Sequence, residues 1–313
     1  MKNLNVRIGQ LLLQNPVMPA SGTFAEGVAR VIDVGALGAL VTKTITAEPR
    51  MGNPVPRVAE VRGGMLNAIG IPSKGVAHFA SDTLAALRGF GPPLICSISA
   101  NSARDFARLA AEVAALPGVA GIEANISCPN IEEDGKSFAM DPRSTERVMR
   151  ELRAATALPL WAKLTPNVSD IAAVALAAEA AGADAVVVAN TVLGMAIAIA
   201  TRRPRLGNVM GGLSGPAIKP MVLRMVYQCR RVLRIPVIGC GGIEDASDAI
   251  EYLLAGASAV QVGTATFNSP GAMPAVIAGI DAYLQRHRIA HVSELTGAVQ
   301  VPDEPARPEL EAA

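Results

Sequence analysis

Eight short apolar runs, each rich in Val, Ile, Leu or Ala, constrain the fold of this 313-residue chain more than any other feature. Such runs are typical of buried parallel strands, and the stretches between them have the apolar spacing of amphipathic helices. The alternation predicts an α/β fold, a (β/α)8 TIM barrel in which residues 1–313 form one domain. We predict strands near residues 17–20, 39–44, 94–99, 121–127, 159–165, 185–191, 236–240 and 259–263, and crossover helices near residues 102–116, 144–156, 169–181, 219–233 and 245–256.

Segments outside this repeat predict additions to the barrel. Residues 4–13 predict a small hairpin at the bottom of the barrel, and the proline-rich, charged residues 301–313 predict a flexible tail. Two connections, residues 45–93 and 192–214, are unusually long. Because loops of that length in a compact domain are usually lids or inserted elements, we expect functional insertions at the carboxyl-terminal rim.

Composition excludes several classes of function. The net charge is only +1 without any basic run, and aromatic residues make up 3% of the chain, so we predict no nucleic-acid surface. The first 16 residues contain only three consecutive apolar residues, which predicts a cytoplasmic protein. The most apolar window, residues 181–200, includes Asp184 and Asn190, so it predicts a buried strand and loop rather than a membrane span. Four cysteines without a C-x-x-C pair predict no metal site.

Polar residues and glycines follow the predicted strands where each one ends. The carboxyl ends of the strands carry the chemistry in barrels of this type, so these residues are candidates for a site. They are Ser21 and Gly22, Lys43 and Thr44, Ser97 and Ser99, Asn125, Ser127 and Cys128, Lys163, Asn190 and Thr191, Gly241 and Gly242, and Gly263 and Thr264.

Two of these residues, Lys43 and Lys163, lie within otherwise apolar strand sequences. Burying an ammonium group without a partner is costly, so each lysine is expected to face an anion or an electron-rich group. A salt bridge to a neighbouring carboxylate such as Glu123 explains one lysine equally well. Two lysines on the same rim favour a bound anionic ligand.

The glycines that follow the last two strands predict a phosphate site. In this fold the loops after the seventh and eighth strands present backbone N–H groups to phosphate, and Gly241-Gly242 and Gly263-Thr264 occupy those positions. Tight packing is the commoner reason for a single glycine pair, so the argument depends on the two loops together. Because no G-x-G-x-x-G opens a βαβ unit, the phosphate is not expected to belong to a Rossmann-bound dinucleotide.

Four asparagines, Asn67, Asn125, Asn130 and Asn190, are expected at the same rim. An asparagine side chain both donates and accepts hydrogen bonds, so a cluster of them suits a flat ring with alternating N–H and C=O groups, such as a pyrimidine. Cys128 lies among them, between a predicted strand and a Pro-Asn pair. From the residues alone, it is either a small buried hydrophobe or a reactive thiol.

Eight sequence motifs in this order make the chain similar to the class 1 dihydroorotate dehydrogenases, and in particular to the catalytic subunit of the NAD-linked class 1B type. They are PASGTF, KTITAEPRMGNPVPRVAEVRGGMLNAIGIP, NISCPN, KLTPNVSDI, NTVLGM, GGLSGPAIKP, IGCGGI and AGASAVQVGTA. The resemblance spans nearly the whole chain. It implies oxidation of (S)-dihydroorotate to orotate in pyrimidine biosynthesis.

The resemblance also implies a role for each matching residue. Cys128 is the implied base that takes a proton from C5 of dihydroorotate while C6 passes hydride to FMN, one FMN being bound per chain. The implied substrate residues are Lys43, Asn67, Ala68, Ile69, Gly70, Ile71, Asn125, Asn130, Asn190 and Thr191. The implied FMN residues are Ser21, Lys43, Thr44, Ser97, Asn125, Lys163, Ala189, Gly215, Gly241, Gly242, Gly263 and Thr264. Ser97 departs from the family pattern, in which many relatives have a longer asparagine, and residues 129–138 are the implied lid.

A second subunit is implied as well, because the chain has neither an NAD fingerprint nor cluster cysteines. By resemblance, that partner carries FAD and a [2Fe–2S] cluster and passes electrons to NAD⁺, and two such subunits flank a catalytic homodimer in a heterotetramer. The alternatives are a fumarate-dependent class 1A enzyme, a dihydropyrimidine dehydrogenase module, and a ligand-sensing barrel without turnover.

Overall fold

Short strands form a central barrel and three smaller sheets in the computed structural model, which describes residues 3–127 and 137–302. In chain order they are β1 (Val6–Ile8), β2 (Leu11–Leu13), β3 (Val17–Pro19), β4 (Leu40–Val41), β5 (Val58–Val61), β6 (Gly64–Asn67), β7 (Leu94–Ile98), β8 (Val119–Asn125), β9 (Leu160–Lys163), β10 (Ala185–Val188), β11 (Val192–Met195), β12 (Ile197–Ala198), β13 (Arg203–Pro204), β14 (Met210–Ser214), β15 (Val237–Cys240) and β16 (Ala259–Val262).

The eight predicted strands are all present and form one parallel sheet in the order β3–β16–β15–β10–β9–β8–β7–β4. Its first and last strands come together where the Gly38 backbone N–H donates to the Val17 carbonyl at 2.8 Å. A Cβ at Gly38 would lie 2.1 Å from the Asn15 carbonyl oxygen, so only glycine permits this approach. The prediction of a (β/α)8 barrel is confirmed.

Helices cover the outside of the barrel between its strands. They are α1 (Val76–His78), α2 (Leu84–Arg88), α3 (Ala103–Ala114), α4 (Pro142–Ala155), α5 (Ile171–Ala180), α6 (Lys219–Val232), α7 (Ala246–Ala255), α8 (Ala265–Asn268) and α9 (Ala272–Arg286). The five predicted crossover helices are confirmed as α3 to α7. Side chains of Ser102, Asp141, Asp170 and Asp245 cap the amino ends of α3, α4, α5 and α7, because each accepts a backbone N–H of the first turn.

The two long connections meet in a second sheet above the barrel. Its order is β11–β14–β6–β5, with every pairing antiparallel. We call this four-stranded unit the insertion sheet. Two of its strands, β5 and β6, lie in the connection of residues 45–93, and the other two lie in or at the end of residues 192–214. The expectation of inserted elements is therefore confirmed, and the two insertions stabilise each other through β6 and β14.

The predicted amino-terminal hairpin is also present, with β1 and β2 paired antiparallel. Its turn contacts the amino end of β10, because a Cβ at Gly9 would lie 3.2 Å from the Asp184 Cβ. The hairpin is therefore at the bottom of the barrel, opposite the strand ends that carry the candidate residues. Within residues 3–127 and 137–302, no helix combines the length and apolar character needed to cross a bilayer.

Candidate active site

A cavity of about 980 Å³ opens at the carboxyl ends of the barrel strands, beneath the insertion sheet. It is at the upper end of the size range of ligand pockets. All the predicted site residues within the described part of the chain line it, except Ser97. Cys128, Asn130 and all but the last two residues of the predicted lid, residues 129–138, lie outside the described residues. The sequence did not single out several further polar residues of the wall, among them Arg50, Asn101 and Asn167.

One wall of the cavity is a chain of hydrogen bonds that links four barrel strands. Asn190 Nδ2 donates to Ser127 Oγ at 2.6 Å, and Ser127 Oγ donates to Asn125 Oδ1 at 2.6 Å. Asn125 Nδ2 in turn donates to Thr44 Oγ1 at 3.4 Å, and Thr44 lies 3.1 Å from Ser97 Oγ. Because each member fixes the next, the amide groups of two predicted substrate residues are oriented in advance.

Ser97 is the last member of this chain and is fully buried. It supports Thr44 from behind, whereas the cavity wall itself is formed by Thr44. Ser127 was named among the rim residues but given no role in the sequence analysis. The structure brings it into contact with both Asn125 and Asn190, a connection that no local pattern signals.

A second group of polar residues belongs to the insertion sheet. Asn67, on β6, donates through Nδ2 to the Gly212 carbonyl at 3.3 Å. Asn167 Nδ2 donates to the Thr191 carbonyl at 3.1 Å, and Asn167 Oδ1 accepts the Leu193 backbone N–H at 2.8 Å. Asn167 therefore attaches the start of β11 to the barrel. It lies in the motif KLTPNVSDI, which was the only signal of its importance.

The loop after Asn67 has an unusual backbone. Gly70 and Ile71 both have positive φ values, +77° and +50°, and for a β-branched residue such as Ile71 this is a true outlier. A Cβ at Gly70 would lie 2.5 Å from the Asn53 backbone nitrogen, so the loop packs too closely for a larger residue. Strained backbone of this kind concentrates at ligand sites. The positive φ values therefore indicate that the loop of Ala68, Ile69, Gly70 and Ile71 is shaped for contact with a ligand.

The two rim lysines differ in their surroundings. Lys163 is 3% exposed, and its Nζ donates to Gln261 Oε1 at 2.6 Å and lies 3.9 Å from Glu123 Oε1. It both lines the cavity and forms the salt bridge that the sequence left as an alternative. The apolar sequence around Lys43 predicts a buried side chain, but the side chain is exposed. The regular pairing of β4 ends at Val41, so Lys43 projects from the rim into the cavity.

Glycines shape the end of the cavity where phosphate is predicted. Gly242 has a φ of +65°, and a Cβ there would lie 2.8 Å from the Gly215 carbonyl and 2.9 Å from Lys219 Cβ. Gly241 accepts a hydrogen bond from Tyr252 Oη at 2.7 Å, which fixes the turn. Across from it, Thr264 Oγ1 donates to Ser214 Oγ at 2.7 Å. The loops after β15 and β16 thus expose backbone to the cavity, as the glycine pattern predicts.

An ion-pair cluster holds the first of these loops in place. Lys219 Nζ lies 2.6 Å from Asp248 and 2.9 Å from Glu251, and Asp248 also accepts the backbone N–H groups of Glu244 and Asp245. The hydrogen bond to Asp248 raises the pKa of Lys219, against the opposing effect of burial. Burial disfavours the Asp248 carboxylate, but these hydrogen bonds outweigh it and lower the pKa of Asp248. Both groups therefore stay charged at neutral pH.

The fold and the cavity define a class of protein, the (β/α)8 barrels that carry their site at the carboxyl-terminal rim. The family model described as "Dihydroorotate dehydrogenase" matches residues 3–284. The chain therefore belongs to the dihydroorotate dehydrogenase family, a family of oxidoreductases, as its motifs predict.

Three relatives show how far the similarity extends. A protein of Trichlorobacter lovleyi is 48% identical over 95% of this chain and 98% of its own length. One from Geotalea daltonii is 46% identical over 96% of this chain and 99% of its own length, and one from Desulforudis audaxviator is 48% identical over 94% and 96%. Each is named "Dihydroorotate dehydrogenase B (NAD(+)), catalytic subunit". The predicted resemblance to the class 1B type is confirmed.

Proposed function

We propose that this chain oxidises (S)-dihydroorotate to orotate in pyrimidine biosynthesis, with FMN as its bound oxidant and NAD⁺ as the final electron acceptor. The observation that carries the proposal is the single cavity that brings together Asn67, Asn125, Asn190 and Thr191 with Lys163 and the glycine-rich phosphate end. The three asparagines and Thr191 suit a pyrimidine ring, whereas Lys163 and the glycine-rich end suit a flavin that carries a phosphate. The names of the relatives point to the same reaction.

The residues present fit FMN. At one end, the turn at Gly242 leaves no room for a Cβ, which is the form of a backbone cradle for phosphate. Towards the barrel axis, Lys163 is a nearly fully buried cation that lines the cavity, where an electron-rich ring edge suits it. Ser21, Thr44, Ala189, Gly215, Gly241, Gly263 and Thr264 are the other proposed contacts along the wall. Ser97 would act through Thr44, to which it is hydrogen-bonded.

Bound FMN would supply the acceptor for the hydride that leaves C6 of dihydroorotate. The described residues would hold the substrate ring for that transfer. Asn125 and Asn190 are oriented by Ser127, which lies between them, so their amides meet the ring without further ordering. Lys43 and the loop of Ala68, Ile69, Gly70 and Ile71 line the same cavity and would bind the polar edge of the substrate. Cys128, the proposed base for the C5 proton, and Asn130 follow Ser127 in the chain and stay sequence-based assignments.

The proposed partners are a second catalytic chain and an electron-transfer subunit that carries FAD and a [2Fe–2S] cluster, arranged as a heterotetramer. The phrase "catalytic subunit" in the names of the relatives supports a second kind of subunit. Large apolar side chains of the two insertions are exposed, among them Met51, Val55, Ile197 and Ile199. Exposed apolar surface of this kind supports contact with another protein chain. One FMN-binding domain over residues 1–313 and a cytoplasmic location complete the proposal.

The test is an anaerobic mix of the purified chain with dihydroorotate, followed through the visible absorbance of the flavin. We expect the absorbance to bleach. Adding NAD⁺ with the partner subunit should restore it, whereas fumarate alone should not. Recovery with fumarate alone would favour the class 1A reaction, and a yellow protein that fails to bleach would refute dihydroorotate as the substrate.

A further inference from the structure

Three polar side chains are buried inside the barrel next to the cavity. Glu123 on β8 is 0% exposed, Gln261 on β16 is 1% exposed, and Lys163 on β9 is 3% exposed. Burying a carboxylate and an ammonium group is costly unless both are paired. Lys163 lines the cavity, whereas Glu123 and Gln261 do not. Glu123 and Gln261 can therefore affect the cavity only through Lys163.

Hydrogen bonds join the three side chains in a fixed order. Gln261 Nε2 donates to Glu123 Oε2 at 2.6 Å, and Gln261 Oε1 accepts from Lys163 Nζ at 2.6 Å. An amide has one donor end and one acceptor end, so Gln261 satisfies both neighbours in only one orientation. Its carbonyl oxygen thereby positions the Lys163 ammonium group. Glu123 Oε1 lies 3.9 Å from the same Nζ and has no hydrogen-bond partner among the residues that the structure describes.

Glu123 brings negative charge close to the cation, and the neighbouring thiol does not. Cys240 Sγ lies 3.7 Å from Lys163 Nζ. Burial raises the pKa of Cys240 despite the opposing effect of Lys163, so this thiol is neutral at neutral pH. A charge in a low-dielectric interior acts strongly on its neighbours. Glu123 therefore weakens the positive field that Lys163 projects into the cavity.

We propose that Glu123 and Gln261 are positioning residues that set the reduction potential of the bound flavin by controlling the place and the field of the Lys163 ammonium group. The inference rests on the proposed function, in which Lys163 faces the flavin. A nearby cation favours the more negatively charged, reduced flavin, and a nearby carboxylate opposes it. The pair would keep Lys163 charged and fixed while limiting how strongly it favours reduction.

Exchanges between Glu and Gln test this idea, because they change charge at nearly constant shape. The variants are Glu123→Gln, Gln261→Glu and the double exchange, with Glu112→Gln on the exposed face of α3 as the control for loss of one carboxylate. The readout is the midpoint potential of FMN on the full chain, from spectroscopic titration against a redox dye. It reports the ratio of affinities for reduced and oxidised flavin, in which a tenfold change equals about 30 mV for a two-electron couple.

We expect Glu123→Gln to shift that ratio at least tenfold towards reduced flavin. In Gln261→Glu the two carboxyl groups would lie about 2.6 Å apart and share one proton, so the total charge and the potential should stay near the wild-type values. The double exchange keeps the total charge, so it should return towards the wild-type potential, and Glu112→Gln should leave it unchanged. A shift in Gln261→Glu of the same sign and size as that in Glu123→Gln would indicate disturbed packing and overturn the inference, as would an unchanged potential in Glu123→Gln.

If Glu123→Gln yields no flavoprotein, Glu123→Asp decides the question, because it keeps a buried carboxylate but draws it back from Lys163 Nζ. A potential shifted towards reduced flavin in Glu123→Asp supports the inference, and an unshifted potential in Glu123→Asp refutes it. The wild-type chain separates the two proposals. A wild-type chain that binds no flavin overturns both, whereas one that bleaches with dihydroorotate while the variants show no shift overturns this inference alone.

Discussion

Gly212 lies on β14 between two proposed substrate residues, and its replacement by alanine gives a test of the roof of the cavity. It pairs with Asn67 across the insertion sheet. A Cβ at this position would lie 1.9 Å from Thr191 Oγ1 and 2.5 Å from Thr191 Cβ. Non-bonded heavy atoms need about 3.5 Å, so Thr191 must move by about 1.5 Å. The contacted atoms adjoin the backbone, and a change of rotamer at Thr191 does not relieve the approach to its Cβ.

We expect Gly212→Ala to lower kcat/KM for dihydroorotate by about 100-fold, since a displacement of about 1 Å in a positioning group has that effect. This corresponds to about 2.7 kcal/mol of lost transition-state stabilisation. FMN binding should persist, because Gly242 and Thr264 lie in barrel loops outside the insertion sheet. Steady-state kinetics, titration of the flavin spectrum with orotate, and FMN content measure the three effects separately.

Gly194→Ala is the matched control. Gly194 lies on the neighbouring strand β11, and a Cβ there would lie 3.1 Å from Leu66 Cδ2, the end of a flexible side chain. Both substitutions restrict the unfolded chain equally, so this contribution cancels in the comparison. We expect Gly194→Ala to keep nearly wild-type kinetics. Wild-type orotate affinity in Gly212→Ala would refute the role of Thr191, and equal losses in both variants would refute the steric argument.

Cysteine chemistry and core packing give the remaining predictions. Burial raises the pKa of Cys96, Cys229 and Cys240, that of Cys229 to about 12, so iodoacetamide near neutral pH should leave these thiols unlabelled in the folded chain, as peptide mass spectrometry would show. In the unfolded chain a thiol ionises near its ordinary pKa of 9.0, whereas the folded thiols stay protonated. The free energy of unfolding should therefore keep the full contribution of these thiols below about pH 9 and lose it as the pH rises towards 12. Urea unfolding at a series of pH values measures this loss. Cys128→Ala should retain FMN and orotate binding but lose most dihydroorotate oxidation near neutral pH. Cys128→Ser should keep a small activity that rises with pH. A fully active serine variant would show that Cys128 is not the base. Phe106 is on the buried face of α3 and is 1% exposed, so Phe106→Ala should lower the free energy of unfolding by about 3–5 kcal/mol.

The barrel was predictable from sequence because each of its strands is buried on both faces and reads as an apolar run. The apolar pattern did not predict strand pairing between residues that are far apart in the sequence. Asn67 and Gly212 are 145 residues apart, and neither insertion alone shows that they join in one sheet. The carboxyl-terminal helix α9 was not predicted, although its apolar spacing is helical.

The sequence predicted which residues belong to the candidate site better than it predicted which of them contact each other. A rule about strand ends collects the residues, but it does not say which of them contact each other. Gln261 shows the difference: it is a polar residue in the apolar strand β16, a signal like that of Lys163, yet its partner Glu123 is 138 residues away. The burial of Lys43 was misjudged for a related reason, since an apolar sequence does not reveal where strand pairing stops.

The cavity wall comes from the barrel and from the insertion sheet, and the proposed flavin and substrate contacts differ between these two parts. Lys163 and the phosphate-end glycines belong to the barrel and its loops, whereas Asn67 and the backbone at Gly212 belong to the insertion sheet. The barrel is one continuous parallel sheet, so the proposed flavin contacts lie on its strands and on the loops that follow them. The insertion sheet reaches the barrel near Thr191 through the side chain of Asn167. The insertion sheet also contacts the phosphate end through Ser214, which accepts from Thr264. Changes in the insertion sheet away from Ser214 should therefore alter substrate affinity and leave the flavin potential unchanged. Changes at Glu123 should alter the flavin potential and leave substrate affinity unchanged.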